Sequence, residues 1–246
     1  MTVDEGVRSQ GGRAVGRSGR AAVRELLAPL LEAGPLDVVD VGGGTGPLAV
    51  PLAALGHRVT VVDPSPDALA TLERRAAEAG VRVRALQGEA AGLQDAVGAA
   101  SADLVLCHSV LEYVEDLDAA VEALVAALRP GGGLSLLVPG ALAAVVQRAV
   151  AGHFEEASEL LAAPGGWAEE PRRFTPESLL ELAAGAGLAE PEVHGVRVFA
   201  DLVPGGHAEA DPHAAESLRA LEAAAAVHPV LRSLAARLHL FARRPA

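Results

Sequence analysis

The chain contains no lysine, one cysteine, one tryptophan, one tyrosine and four phenylalanines among its 246 residues. The lone Cys107 excludes an intramolecular disulfide. His194, His207, His213 and His228 are scattered without metal-ligand spacing, so no metal is expected. So few aromatic rings leave little surface for stacking unpaired bases. No apolar run approaches the roughly twenty residues needed to cross a bilayer, and no charged-then-apolar signal segment is evident. The expectation is an intracellular, cytoplasmic protein with no membrane contact. A formal net charge of −12 argues against sequence-independent adhesion to nucleic acid, which rests on a basic surface, and leaves only local patches for such contacts. All 20 basic residues are arginine in an alanine-heavy chain, a sign of G·C-biased coding, so arginine abundance carries no functional weight by itself.

What is present is alternation. Residues 1–19, rich in Gly, Arg and Ser, read as a flexible segment, and residues 20–246 as one domain with a large core. A leading helix from Arg20 to Glu32 stops near Gly34-Pro35. Strands are expected at 36–41, 58–63, 81–86, 102–107 and 133–138, with helices at 47–55, 66–79, 116–128 and a short one near 90–97. A helical insertion follows over 141–162, then a Gly/Pro loop around Trp167, a helix at 176–186, a strand at 192–199, a helix at 211–226 and a closing strand at 236–243. Such a pattern builds a doubly wound α/β sheet, mostly parallel, with ligands outside the carboxyl ends of its strands.

The most informative stretch runs from Val38 to Pro47, a buried strand entering a glycine turn. Gly42, Gly44 and Gly46 remove side chains where backbone approaches a ligand and permit positive φ. A dinucleotide-binding turn also wants glycine at position 47. Pro47 instead suits the first turn of a helix, so the pyrophosphate fingerprint is broken. About twenty residues on, Asp63 ends the second strand where an acid grips a ribose in βαβ nucleotide folds; the alternative is a helix cap, a role Ser65 fills equally well. After the third strand comes Gly88-Glu89-Ala90-Ala91, with Glu89 either a ligand contact or a solvated surface acid. After the fourth comes Cys107-His108-Ser109-Val110-Leu111-Glu112-Tyr113-Val114, the floor of any site at the strand ends. Cys107 itself reads as an inert core residue.

The turn resembles motif I of the class I S-adenosylmethionine-dependent methyltransferases. The ordered set His108–Val114, Leu128-Arg129-Pro130-Gly131-Gly132, Ala151-Gly152-His153-Phe154 and Gly195-Val196-Arg197-Val198-Phe199-Ala200-Asp201 is similar to the tRNA 5-carboxymethoxyuridine methyltransferase family, and the likeness spans nearly the whole chain from Arg20. It implies a Rossmann-like, seven-stranded, mostly parallel sheet with the last strand antiparallel, and residues 141–173 as a helical insertion capping the substrate. It also implies S-adenosylmethionine as cofactor, held by Arg20 or Arg17, Gly42, Gly43, Gly44, Asp63, the backbone of Ala90 and Ala91, and His108. The reaction implied is methyl transfer to the carboxylate of 5-carboxymethoxyuridine at a tRNA wobble position.

That chemistry needs alignment more than proton removal, since a carboxylate is already ionised. No catalytic acid or base is therefore expected. His108 is a cofactor or substrate contact, or a packed histidine at a strand end. Arg172 and Arg173 are candidates for the acceptor, together with Arg197, whose alternative is an ion pair with Asp201 or Glu112. The segment from Leu160 to Glu170 departs from the family pattern in lacking basic residues. A small-molecule carboxyl or hydroxyl methyltransferase on the same scaffold is the alternative function, and a cofactor-binding protein without turnover a third.

Overall fold

A computed structural model of the chain describes residue 19 and residues 21–162, 171–203 and 211–246. Residues 1–18 of the expected flexible segment 1–19, which include Arg17, together with Arg20 and the loop at Trp167, lie outside the described residues, while Gly19 is helical and buried. The chain divides into a first compact unit ending at Gly34 and a second running from Pro35 to Ala246. In the first, residues 21–31 form helix α1.

The second unit is built on seven strands in the order β3-β2-β1-β4-β5-β7-β6. These are β1 (Asp37–Val41), β2 (Arg58–Asp63), β3 (Val83–Gln87), β4 (Ala102–His108), β5 (Leu128–Pro139), β6 (Ala189–Val196) and β7 (Arg237–Arg243). The first five pair in parallel, while β7 runs antiparallel between β5 and β6. The central strands are almost wholly apolar because both sheet faces are covered; Val38, Val39, Val41, Leu104, Val105 and Leu106 are all buried. Only Asp40 interrupts β1 with a buried charge-bearing side chain.

Helices α2 (Ala49–Ala54), α3 (Pro66–Glu78), α4 (Leu93–Val97) and α5 (Leu117–Ala127) connect the parallel strands. Local chemistry sets their starts. Ser65 Oγ accepts from Ala68 N at 3.2 Å with Pro66 in the first turn, and Asp116 accepts from Ala119 N at 3.0 Å, each satisfying an amide that has no partner in the helix. Helix α2 begins two residues later than Pro47 predicts, because residues 47 and 48 remain in the glycine turn. The helical insertion expected over 141–162 consists of two helices, α6 (Ala141–Val150) and α7 (Phe154–Ala162), broken at Gly152, where φ is +83°. Helices α8 (Pro176–Gly185) and α9 (Pro212–Ala226) and a 3-10 turn at Leu231–Leu234 complete the fold. Strand β5 starts five residues before its expected boundary, taking in the Arg-Pro-Gly turn through pairing of Ala102 with Leu128.

Candidate active site

The order of strands reverses between β1 and β4, and there, at the carboxyl ends, a cleft of about 650 Å³ opens. Its walls come from four successive strand ends: Val41 and Gly42, Asp63 and Pro64, Gly88 to Ala91, and Ser109 with Val110, Tyr113 and Val114. Asp63, Ala90, Ala91, Gly42 and the undecided Glu89 are thereby brought together as the sequence anticipates.

The glycine turn has two kinds of constraint. At Gly42, φ is +68° and an added Cβ would fall 2.2 Å from Val110 Cγ2, so packing against the β4–α5 loop as well as conformation demands glycine. At Gly44, φ is +55° and an added Cβ would make only ordinary contact, 3.8 Å from Asp63 Oδ2, but its N–H is committed, donating to Asp63 Oδ2 at 2.8 Å. The other Asp63 oxygen accepts from Ser65 N at 2.9 Å. Asp63 therefore braces the turn against β2, while Ser65, not Asp63, caps α3. Each carboxylate oxygen retains a second acceptor position for a ligand.

Acids dominate this cleft. Asp63, Glu89, Glu115 and Asp116 line it and no arginine among the described residues does, while Asp40 lies beneath, 2.6 Å from where a Cβ on Gly43 would sit. Burial, reinforced by the charge of Asp63, pushes the Asp40 carboxyl up to about 7. A pyrophosphate would meet repulsion here and find the Gly44 amide already used. A ligand bearing cations and a ribose is complementary.

His108 ends β4 but points across the sheet. Its Nε2 is 2.9 Å from Ser135 Oγ, which is 2.8 Å from Nε2 of the fully buried His239. Burial lowers the His108 pKa to about 4, so the ring is neutral. It is not among the residues lining the cleft.

The loop after β4 is held from outside. Ser109 adopts φ +60°, a conformation costly for a residue with a Cβ, and its hydroxyl accepts from Arg237 Nη1 at 3.0 Å. The same nitrogen donates to Glu112 at 2.9 Å, so Glu112 pairs with Arg237 rather than with Arg197. Arg197 pairs with Asp201. Arg172 donates from its backbone to Glu112 O at 2.9 Å and from its guanidinium to the carbonyls of Leu111 and Val114 at 3.3 and 3.0 Å. Arg173 is half-buried and makes no ion pair with any described residue; burial, then the nearby Arg148 and Arg237 charges, lower its pKa.

Asp40, Ser135, Arg237 and His239 escaped the sequence reading, which named Ser109 only as part of the loop after the fourth strand. Asp40 carried a legible signal, an acid inside a valine strand. Ser109, Ser135, Arg237 and His239 depend on pairing across β4, β5 and β7. Among the described residues no group of three or more His, Cys, Asp or Glu side chains is placed to hold a metal, and no helix is long and apolar enough to cross a membrane.

A switch-point cleft of this kind, acidic and opening beside a glycine turn, belongs to the nucleoside-binding doubly wound folds, and comparison narrows the class. Residues 38–132 match the methyltransferase domain family. The chain is 31% identical over 236 residues to the tRNA 5-carboxymethoxyuridine methyltransferase of Escherichia coli (strain K12), covering 90% of this chain and 86% of that protein. It is 33% identical over 176 residues to a ubiquinone biosynthesis O-methyltransferase of Xanthomonas axonopodis pv. citri (strain 306), covering 70% of each. Among solved structures, phosphoethanolamine N-methyltransferase 2 of Haemonchus contortus in complex with S-adenosyl-L-methionine aligns with a TM-score of 0.57 at 21% identity, over 91% of this chain and 53% of that one.

The chain belongs to the class I S-adenosylmethionine-dependent methyltransferases. It is an enzyme of that class, and its cofactor is S-adenosylmethionine; the acidic cleft fits the cofactor's sulfonium, ammonium and ribose.

Proposed function

We propose that this enzyme methylates the carboxylate of 5-carboxymethoxyuridine at a tRNA wobble position, giving the methyl ester, in the cytoplasm. The relative from Escherichia coli, alike over most of both chains, supports this acceptor. The observation that carries the carboxylate reading is the state of His108. With a pKa near 4 and Nε2 occupied by Ser135, it is no base for a hydroxyl acceptor at neutral pH. Asp40, the acid with a pKa near neutrality, lies beneath Gly43 on β1. An acceptor already ionised needs neither.

In this reading Asp63 accepts from the ribose hydroxyls, and Gly42, Gly43 and Gly44 leave room for the methionyl portion. Ala90 and Ala91 flank the adenine through their backbone. Arg20 or Arg17 is the partner the family resemblance implies for the cofactor's carboxylate, and the neutral His108, outside the cleft lining, keeps its other role as a packed histidine at the end of β4, bound to Ser135. The cofactor supplies an electrophilic methyl on sulfur. The protein aligns an acceptor oxygen with it and excludes water, and no proton changes hands because anion and sulfonium are neutralised together. The insertion bearing α6 and α7 covers the acceptor side, joined there by Arg172, Arg173 and Arg197.

The test is methyl transfer from labelled S-adenosylmethionine into fractionated RNA and small-molecule extracts. Label in tRNA that mild base releases is the expected outcome. Stable label in a phenol or other hydroxyl compound, with none in tRNA, replaces this acceptor by a small molecule.

A further inference from the structure

The cofactor cleft lies at the carboxyl ends of the strands. A second depression, of about 720 Å³, lies at the opposite end of the sheet, where β1, β2 and β3 begin. Its charge is of the other sign. Arg58, Arg82, Arg84 and Arg129 line it against a single carboxylate, Asp37, in a chain whose formal net charge is −12.

Strand register assembles this group. Asp37 pairs with Arg58 across β1 and β2, and Val59 with Val83 and Thr60 with Arg84 across β2 and β3. Side chains two residues apart share a sheet face, so Asp37, Arg58 and Arg82 form one row, with Thr60 and Arg84 in the next. The carboxylates at this corner are already occupied. Asp37 accepts from Arg58 Nε on Oδ1 at 2.5 Å and from Arg129 on Oδ2 at 2.9 Å. Asp103 accepts from Arg129 on Oδ1 at 2.6 Å and from the Asp37 amide on Oδ2 at 2.8 Å. Arg82 and Arg84, both exposed, have no hydrogen-bond or ion-pair partner among the described residues, and β3 is an edge strand with no neighbour to supply one.

His57 supplies a separate indication. It lines the same depression and is buried, and its Nδ1 accepts from Leu36 N at 3.2 Å, so the neutral ring carries its proton on Nε2. That N–H is buried with no partner among the described residues, a deficit of the kind that a bound ligand makes good.

We propose that this depression is a phosphate site, separate from the cofactor cleft, in which Arg82 and Arg84 each grip one phosphate of an anion carrying two in sequence. A guanidinium fork matches phosphate oxygens by two parallel hydrogen bonds. Two arginines on one face of an extended chain, about 6–7 Å apart at the backbone, suit neighbouring phosphates. Arg58 uses only Nε on Asp37, which leaves its terminal nitrogens to donate to the same anion. The acid-lined cofactor cleft repels such a ligand, so the two ends of one sheet select opposite charges. The ligand chemistry is a diphosphate, as in a nucleoside diphosphate, and consecutive phosphates of an RNA strand offer the same groups.

The test is calorimetry with inorganic pyrophosphate on the enzyme saturated with S-adenosylmethionine. Wild type is expected to bind it at one site. Arg82→Gln combined with Arg84→Gln should weaken that binding by about tenfold or more, the scale of charge-assisted contacts, with cofactor affinity unchanged. A control, Arg74→Gln combined with Arg219→Gln, removes the same charge from exposed helix positions and should leave pyrophosphate affinity unaltered. Unmodified tRNA titrated alongside separates the two sources. Weakened pyrophosphate binding with unchanged tRNA affinity supports a small diphosphate ligand, and weakening of both supports an RNA backbone at the same site. Absence of pyrophosphate binding by the wild type, equal binding by wild type and the Arg82/Arg84 variant, or an equal loss in the control overturns the inference.

Discussion

Ser135 Oγ lies 2.9 Å from His108 Nε2, and this contact decides which nitrogen of His108 carries the proton. A hydroxyl has one proton to give, and Ser135 also meets His239 Nε2 at 2.8 Å. His239 Nδ1 is buried without a partner, and a stranded lone pair costs less than a stranded N–H. His239 therefore donates from Nε2 to Ser135, Ser135 donates to His108, and His108 carries its proton on Nδ1.

Nitrogen NMR at neutral pH should accordingly find His108 as the Nδ1–H tautomer. Ser135→Ala should mix the tautomers and lower unfolding free energy by about 1–3 kcal/mol, the usual cost of leaving buried polar atoms unpaired. An Nε2–H tautomer in the native enzyme contradicts the assignment.

Asp63 has two duties, since its oxygens already hold Gly44 and Ser65. Asp63→Ala should weaken S-adenosylmethionine binding by about 1.5–3 kcal/mol, the loss for hydrogen bonds to a charged group, and should also lower the melting temperature. Calorimetry on the wild type should find S-adenosylmethionine and S-adenosylhomocysteine bound and NAD not. Unchanged cofactor affinity in Asp63→Ala, with only the melting temperature reduced, leaves Asp63 as a turn brace.

Gly42→Ala puts a methyl 2.2 Å from Val110 Cγ2 at positive φ. Overpacking and backbone strain together should cost roughly 2–4 kcal/mol, read by urea unfolding. Gly56→Ala meets nothing within 4 Å, so it should lose only the backbone component.

Two buried groups give opposite pH dependence. The pKa of His108 falls from an ordinary 6.5 to about 4, so the stability it contributes is present above pH 6.5 and lost as pH falls toward 4. The pKa of Asp40 rises from an ordinary 3.8 to about 7, so its contribution is complete below about pH 4 and lost as pH rises through 7. Asp40→Asn should remove the second decline. Urea unfolding at pH 5 and pH 8 should show wild type losing stability relative to the variant across that interval; parallel curves contradict the buried acid.

Sequence carried the sheet well because the parallel strands are continuous apolar runs: β2 occupies the expected 58–63 and β1 ends at Val41 as anticipated. It also brought Asp63 and Ala90 to one cleft, since residues after successive strands converge at the switch point. It left the Glu112–Arg237 pair unread, because 125 residues separate them and only the insertion of β7 between β5 and β6 brings Arg237 to the loop after β4. Arg172 and Arg173 looked equivalent in sequence. Their neighbouring side chains diverge, one committed to loop carbonyls and the other without a carboxylate partner among the described residues.

The central claim is the acceptor. It is tested most directly by incubating the enzyme with S-adenosylmethionine and tRNA whose wobble uridine bears the free carboxymethoxy group, then digesting to nucleosides for mass spectrometry. The account predicts that this nucleoside becomes one methyl group heavier and reverts on mild alkaline treatment. An unmodified carboxymethoxyuridine, under conditions where calorimetry shows the cofactor bound, contradicts it.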